Sequence, residues 1–202
     1  RVVERFDRFG ILGEKTICAH GVHLSERELE MLAETRTAVV HNPQSNMNNA
    51  VGVADVPAML RAGVLVGLGT DAMTTSMLEE LRAGLWVRHL AVRNPSVGFM
   101  ETVGLLVSGN AHIANRYWKT PLGVLAPGAA ADVVLVDYDP PTPLDDSTFL
   151  GHLVFGVSQS QVNTTICRGR VLMHDKRRRL DLDETAVAAR ARELAAALWH
   201  RF

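Results

Sequence analysis

Two rhythms of apolar and polar positions run through the first 120 residues. Apolar runs at 16–20, 37–41 and 64–70 have the length and period of strands. Between and after them, 25–35, 56–62, 77–92 and 101–118 carry apolar residues at helical spacing. The helix at 25–35 has a start signal: Ser25 followed three residues later by Glu28 is a capping box. Strands alternating with helices predict parallel strands joined by right-handed crossovers, an α/β fold. Residues 1–6 read as the last turns of a helix already under way, so a partial chain is expected. After Trp118 the texture changes to a turn-rich segment, short apolar stretches at 131–137, 152–157, 162–168 and 170–174, and a closing helix at 184–199. Residues 121–180 therefore read as a small all-β unit, with a hairpin turning at Gly169.

Period-two alternation groups Thr16, Cys18 and His20, then Val39 with His41, then Leu65, Gly67 and Gly69 with Asp71. Three successive strands end in His20, His41 and Asp71, and ligands of α/β folds bind at the carboxyl ends of parallel strands. The expectation is one cavity faced by His20 and Asp71, with His41 at its margin. Ile17, Ala38, Val40, Val66 and Leu68 are expected on the outward face, under the chain's own helices. Each site residue also has a plain reading. The histidines can be structural, the Asn42–Asn46 run can be turn chemistry, and Asp71 can be the N-cap of the next helix.

Composition narrows the function. The chain has 202 residues, 47% hydrophobic, 21% charged and a formal net charge of −1, which excludes disorder and gives no electrostatic footprint for nucleic acid or an anionic membrane. No apolar run approaches the length of a membrane span. The run Lys176–Arg179 is followed at once by acidic residues and reads as a solvated turn. Cys18 and Cys167 lie far apart in apolar stretches and read as buried thiols of a reducing, cytoplasmic compartment. His89, His112, His152, His174 and His200 have no partner at ligand spacing, and phosphate loops, nucleophile elbows and H-E-x-x-H are absent.

At three places the sequence resembles a known family. Ala19-His20-Gly21-Val22-His23-Leu24, His41-Asn42-Pro43-Gln44-Ser45-Asn46 and Gly67-Leu68-Gly69-Thr70-Asp71 look like strands six, seven and eight of the metal-dependent amidohydrolase superfamily. The aminohydrolase and chlorohydrolase branch is the most similar, within it the SsnA-type aminohydrolases, through Asn46–Gly52, Leu122–Asp132 and Gly151–Gly156. The resemblance implies the C-terminal half of a (β/α)₈ barrel over 1–120, part of a composite β-sandwich over 121–180 and a C-terminal helix over 181–202. It implies a hydrolase that deaminates a nitrogen heterocycle with a metal-activated water. One divalent metal is implied, zinc first, with iron or manganese as alternatives.

In this resemblance Asp71 is a metal ligand and proton shuttle. His20 orients the water or substrate, and is a second choice as ligand. His41 is a candidate substrate contact. The strand-one H-x-H and the strand-five histidine have no counterpart here and are expected upstream of Arg1. The implied partners are a small heterocyclic substrate, the N-terminal half of the barrel and, as an open option, a second copy in a homodimer; neither nucleic acid nor membrane is implied. Hydrolysis of a cyclic amide or a carbon–chlorine bond, and a non-catalytic assembly role, stay open as alternatives.

Overall fold

The computed structural model describes residues 1–202. A helix, α1 (Val2–Arg8), leads into three short parallel strands in the order β1 (Ile17–Ala19), β2 (Ala38–His41) and β3 (Val66–Leu68). The first crossover is α2 (Glu26–Glu34), and its capping box forms as expected: Ser25 Oγ accepts from the Glu28 N–H while Glu28 accepts from the Ser25 N–H. The second crossover holds two helices, α3 (Pro43–Asn48) and α4 (Val56–Arg61). The alternation showed only α4, because Met47 alone among the polar residues 44–48 leaves no apolar period to read. The available signal was Pro43, a residue suited to the first helical position.

The register settles which residues share a face. Cys18, Val39 and Val66 form one row, and Ala19, Val40 and Gly67 the next. Val39, Val66 and Leu68 pack with Leu32 of α2, Met59 of α4 and Leu81 and Leu85 of the following helix, α5 (Met77–Val92), to make the core. Ile17 and Val40 lie on the opposite face, beside Ile113, Tyr117 and Trp118. The expected outward set is thus split between the two faces, because each strand keeps its own parity and only the pairing register relates one strand to the next.

The expected single helix over 101–118 is interrupted. It runs as α6 (Phe99–Gly104), a π turn (Leu105–Gly109) and α7 (Asn110–Ala114). The π turn lies against β3. A side chain at Gly109 would come within 2.2 Å of the Val66 carbonyl oxygen, so only glycine allows the approach. Asn110 then pairs with Leu68 as a neighbouring strand would. Its Oδ1 accepts from the Leu68 N–H at 2.8 Å and its Nδ2 donates to the Leu68 carbonyl at 3.0 Å. Beyond α7, Arg116 donates to the carbonyls of Glu14 and Arg36, holding the loops that enter β1 and β2.

The remaining strands, β4 (Val133–Asp137), β5 (Gln161–Cys167), β6 (Arg170–His174) and β7 (Arg177–Arg178), form an antiparallel sheet in chain order. The hairpin at Gly169 forms, with Arg168 and Gly169 both at positive φ as a two-residue turn requires. The unit is not all-β. Residues 152–157 fall in or just after a helix, α8 (Phe149–Phe155), whose Leu150, Leu153 and Val154 reach the core at helical spacing. Its His152 is structural, bonded through Nδ1 to the Tyr138 hydroxyl at 2.5 Å. The last helix, α9 (Glu184–Trp199), is capped by Asp183 and buries none of its side chains. The basic run is exposed as expected, with Lys176 paired to Asp137 and Arg178 to Glu184. The thiols are less enclosed than expected: Cys18 is half-buried and Cys167 exposed, at the end of β5 where the hairpin turns into solvent. No helix is long and apolar enough to cross a membrane.

Candidate active site

His20 and Asp71 each sit just past the carboxyl end of a strand, in the left-handed region of backbone space, with φ of 70° and 47°. Non-glycine residues adopt it uncommonly, and here it redirects both side chains; turn residues such as Arg36, Arg93 and Arg168 share it, so it does not by itself mark a site. The turn decides the geometry. By alternation His20 belongs with Cys18 and Val66 and should face the helices, whereas Asp71 belongs with Gly67 on the other face. The left-handed turns break the alternation at both residues. His20 Nε2 comes to 3.6 Å from Asp71 Oδ2, both side chains partly open to solvent.

His41 stays on its strand and obeys the alternation. It pairs in register with Leu68 and is 3% exposed, against Val56, Gly84, Arg88 and Thr102 of the helical layer. The structure therefore brings His20 and Asp71 together and turns His41 away from them. Burial, with the His20 charge nearby as a smaller cause, pushes the His41 imidazole down to about 4. Its Nδ1 has no hydrogen-bond partner.

The pair is held from one side by α3. Ser45 Oγ donates to Asp71 Oδ2 at 2.6 Å, and Asn46 Oδ1 lies 2.9 Å from His20 Nδ1. An amide oxygen only accepts, so the neutral ring carries its proton on Nδ1 and turns the Nε2 lone pair toward Asp71. Asn49 braces Ser45 from the next turn, donating to its carbonyl at 3.0 Å. Asn46 Nδ2 is a buried donor with no partner. Asp71 is not a helix cap: that place in α5 is taken by Ser76, which accepts from the Glu79 N–H.

Below α3 lies an acid the sequence reading passed over. Glu80 of α5 is fully buried, and its Oε2 accepts from the Gln44 N–H at 3.2 Å. Burial first, then the nearby carboxylates of Glu79 and Asp71, raise its pKa against the bond from Gln44. Its place was legible in one respect, since it falls on the buried stripe Glu80, Leu81, Gly84 and Leu85.

The sequence profile of the Amidohydrolase family matches residues 1–172. The chain belongs to the amidohydrolase family. It is 38% identical over 201 residues to the 5-methylthioadenosine/S-adenosylhomocysteine deaminase of Haloarcula marismortui, covering 96% of this chain and 45% of that protein. The like-named enzyme of Pelotomaculum thermopropionicum is 34% identical, with 98% and 46% covered. This amidohydrolase chain thus spans about half the length of the curated relatives it matches. A zinc-bound adenosine deaminase from Xanthomonas campestris superposes with a TM-score of 0.83 at 25% identity, covering 99% of this chain and 46% of that one. The zinc-bound atrazine chlorohydrolase of Arthrobacter aurescens shares the fold, with a TM-score of 0.76 at 23% identity and 95% and 43% covered. The three parallel strands and their helices are accordingly part of a (β/α)₈ hydrolase barrel, with the antiparallel sheet as part of a sandwich.

The donors present fit a share of a zinc shell. Zinc takes imidazole and carboxylate ligands at about 2.0–2.2 Å in tetrahedral array, which sets neighbouring donors about 3.3–3.6 Å apart. His20 Nε2 and Asp71 Oδ2 stand 3.6 Å apart, within that spacing. Asn46 behind His20 and Ser45 behind Asp71 are the outer supports that such ligands usually have. No group of three or more His, Cys, Asp or Glu side chains that could by itself hold a metal converges anywhere in the chain, so the pair is at most a share of such a shell.

Proposed function

We propose that this chain supplies the strand-six to strand-eight side of the active site of a metal-dependent hydrolase that deaminates a nitrogen heterocycle. Residues 1–120 carry that part of the barrel, 121–180 part of the composite sandwich and 181–202 the closing helix, and the remaining ligands come from the N-terminal half. The observation that carries the reading is the His20–Asp71 pair, joined at 3.6 Å by two residues that leave strand geometry to meet. The deaminase names of the relatives favour an amino-substituted purine of the adenosine type as the ring. The free thiols support a reducing, cytoplasmic setting.

Asp71 would be the metal ligand contributed by this chain, with His20 as the second choice. A divalent metal, zinc first, supplies Lewis acidity that makes a water acidic near neutral pH. The His20 Nε2 lone pair accepts one O–H of the attacking water and fixes its direction. Asp71 accepts the other proton as the oxygen adds to the ring carbon, then passes it to the exocyclic nitrogen as the C–N bond breaks. The second proton of the water, hydrogen-bonded to His20, ends on the ring nitrogen beside the attacked carbon, so the products are the carbonyl form of the ring and ammonia. Ser45 holds Asp71 Oδ2 so that the carboxylate does not rotate away. His41, turned into the helical layer, makes no substrate contact in this scheme.

The test is ammonia release by the full-length protein from adenosine, 5-methylthioadenosine and S-adenosylhomocysteine, with a chlorotriazine as the rival substrate. Asp71→Asn keeps the shape and removes the charge. The expected loss is about 10²–10⁴-fold in turnover, with weaker zinc binding and an unchanged circular dichroism spectrum. Near-normal deamination by the variant would remove Asp71 from the chemistry. Chloride release without ammonia release would replace the deaminase reading with the chlorohydrolase one.

A further inference from the structure

Helix α3 is the short element on which the site geometry rests, and it has little of its own to hold it. Its N-cap residue, Asn42, makes no side-chain cap bond, and the next residue, Pro43, has no N–H. The first N–H available at that end belongs to Gln44, and Glu80 accepts it at 3.2 Å. One and two residues further on stand Ser45 and Asn46, which hold Asp71 and His20.

Glu80 is an expensive residue for this position. It is fully buried, its Oε1 has no partner, and Glu79 and Asp71 add like charge nearby. An apolar side chain of the same volume would pack there without desolvating a carboxyl group. Core stability therefore does not explain the acid, whereas an acceptor aimed at the uncapped end of α3 does.

We infer that Glu80 is a positioning residue: it anchors the N-terminus of α3 through Gln44, and α3 in turn orients Asp71 through Ser45 and His20 through Asn46. The inference rests on His20 and Asp71 being the site, and not on which bond that site hydrolyses. Glu80 touches neither of them. It acts by fixing the turn on which their supports stand.

The experiment compares Glu80→Met, which fills the space without an acceptor, with Glu80→Gln, which keeps an acceptor oxygen. Both are made in the full-length protein carrying ¹⁵N-labelled histidine. The first readout is the His20 ring tautomer by NMR, the second the exchange rate of the Gln44 amide, and the third the affinity for zinc. In Glu80→Met the Nδ1–H tautomer of His20 gives way to a mixture, Gln44 exchange accelerates and zinc binding weakens about 10–100-fold, the usual effect of losing an outer support. In Glu80→Gln all three return toward wild type.

The proposal is overturned if Glu80→Met lowers the melting temperature but leaves the His20 tautomer and zinc affinity as they were. It is equally overturned if Glu80→Gln fails as badly as Glu80→Met, since charge and not the acceptor would then be at work. Should Glu80→Met not fold, the wild-type protein still decides. A Gln44 amide that exchanges as fast as an exposed one carries no bond to Glu80, and the linkage does not exist. None of these readouts needs a substrate, so a failed activity assay and a failed linkage are separate results.

Discussion

The His41 imidazole is neutral in the folded protein because it is buried 3% exposed beside Leu68, with its Nδ1 unpartnered. Its pKa of about 4 lies below the ordinary value of 6.5, so the unfolded chain binds a proton there before the folded one does. Stability from this residue is therefore complete above about pH 6.5 and is lost as the pH falls through 4. At about 1.4 kcal/mol per pH unit the loss is on the order of 3 kcal/mol at the acid end. Urea unfolding of wild type and His41→Gln at pH 7 and pH 4.5 isolates the effect, since other titrating groups are common to both. The wild type should lose more stability across that interval than the variant, and parallel losses would show that His41 is not held neutral. The same residue marks where alternation can be trusted. His41, still paired on β2, points where the period of two sends it, whereas His20 and Asp71 meet because each has turned left-handed beyond its strand. Their positions at strand ends were legible in the sequence. Their convergence depended on two backbone turns that no period encodes, and their supports Ser45, Asn46 and Glu80 depended on a six-residue helix with no apolar face to announce it.

Among the elements, two sixteen-residue periodic segments match to the residue, 77–92 as α5 and 184–199 as α9, whereas the longer 101–118 is interrupted. Strands came out shorter than their apolar runs, because pairing ends where the chain turns toward the site and not where hydrophobicity ends. At 152–157 the apolar window opened in the middle of α8 and so lost half of its period. The π turn between α6 and α7 was invisible for another reason. It answers the free edge of β3, where Gly109 lets the backbone approach the Val66 carbonyl and Asn110 pairs with Leu68. Gly109→Ala sets two effects against each other. Alanine favours a helix over glycine by about 1 kcal/mol, while its Cβ would stand 2.2 Å from a backbone oxygen that cannot rotate aside. Forced overpacking typically costs about 1–3 kcal/mol, so the variant should be destabilised despite its better propensity. A rise in the denaturation midpoint would mean that the π turn shifts freely and does not seal β3.

At the scale of the whole molecule, the two edges of the parallel sheet are unequal. The outer edge of β3 is occupied by Asn110 and the π turn, while β1 has no strand beyond it. An apolar cleft opens along β1, lined by Val2, Phe6, Ile17, Cys18, Val22 and Leu24. The alternation of strands and helices made the α/β class legible, but not this asymmetry, which arises from a side chain and a glycine distant in sequence from the edge they cover. An unpaired strand beside exposed apolar surface is a template for association, and the core that must resist it is modest, with 32 of 202 residues buried. The 202-residue chain purified alone should accordingly self-associate through the β1 edge. Ile17, 45% exposed on the sheet face away from α2, is the position to test. Lysine there adds a charge at the edge, a device by which exposed strands are kept from pairing, and displaces little buried surface. Sedimentation velocity across a hundredfold range of concentration should show wild type shifting to larger species and Ile17→Lys remaining smaller. The unfolding free energies of the two, from urea denaturation, should agree within about 0.5 kcal/mol, the range of surface substitutions. Equal association by both chains would move the contact elsewhere, to α9 and the antiparallel sheet, where Val187, Leu194 and Leu198 are also exposed.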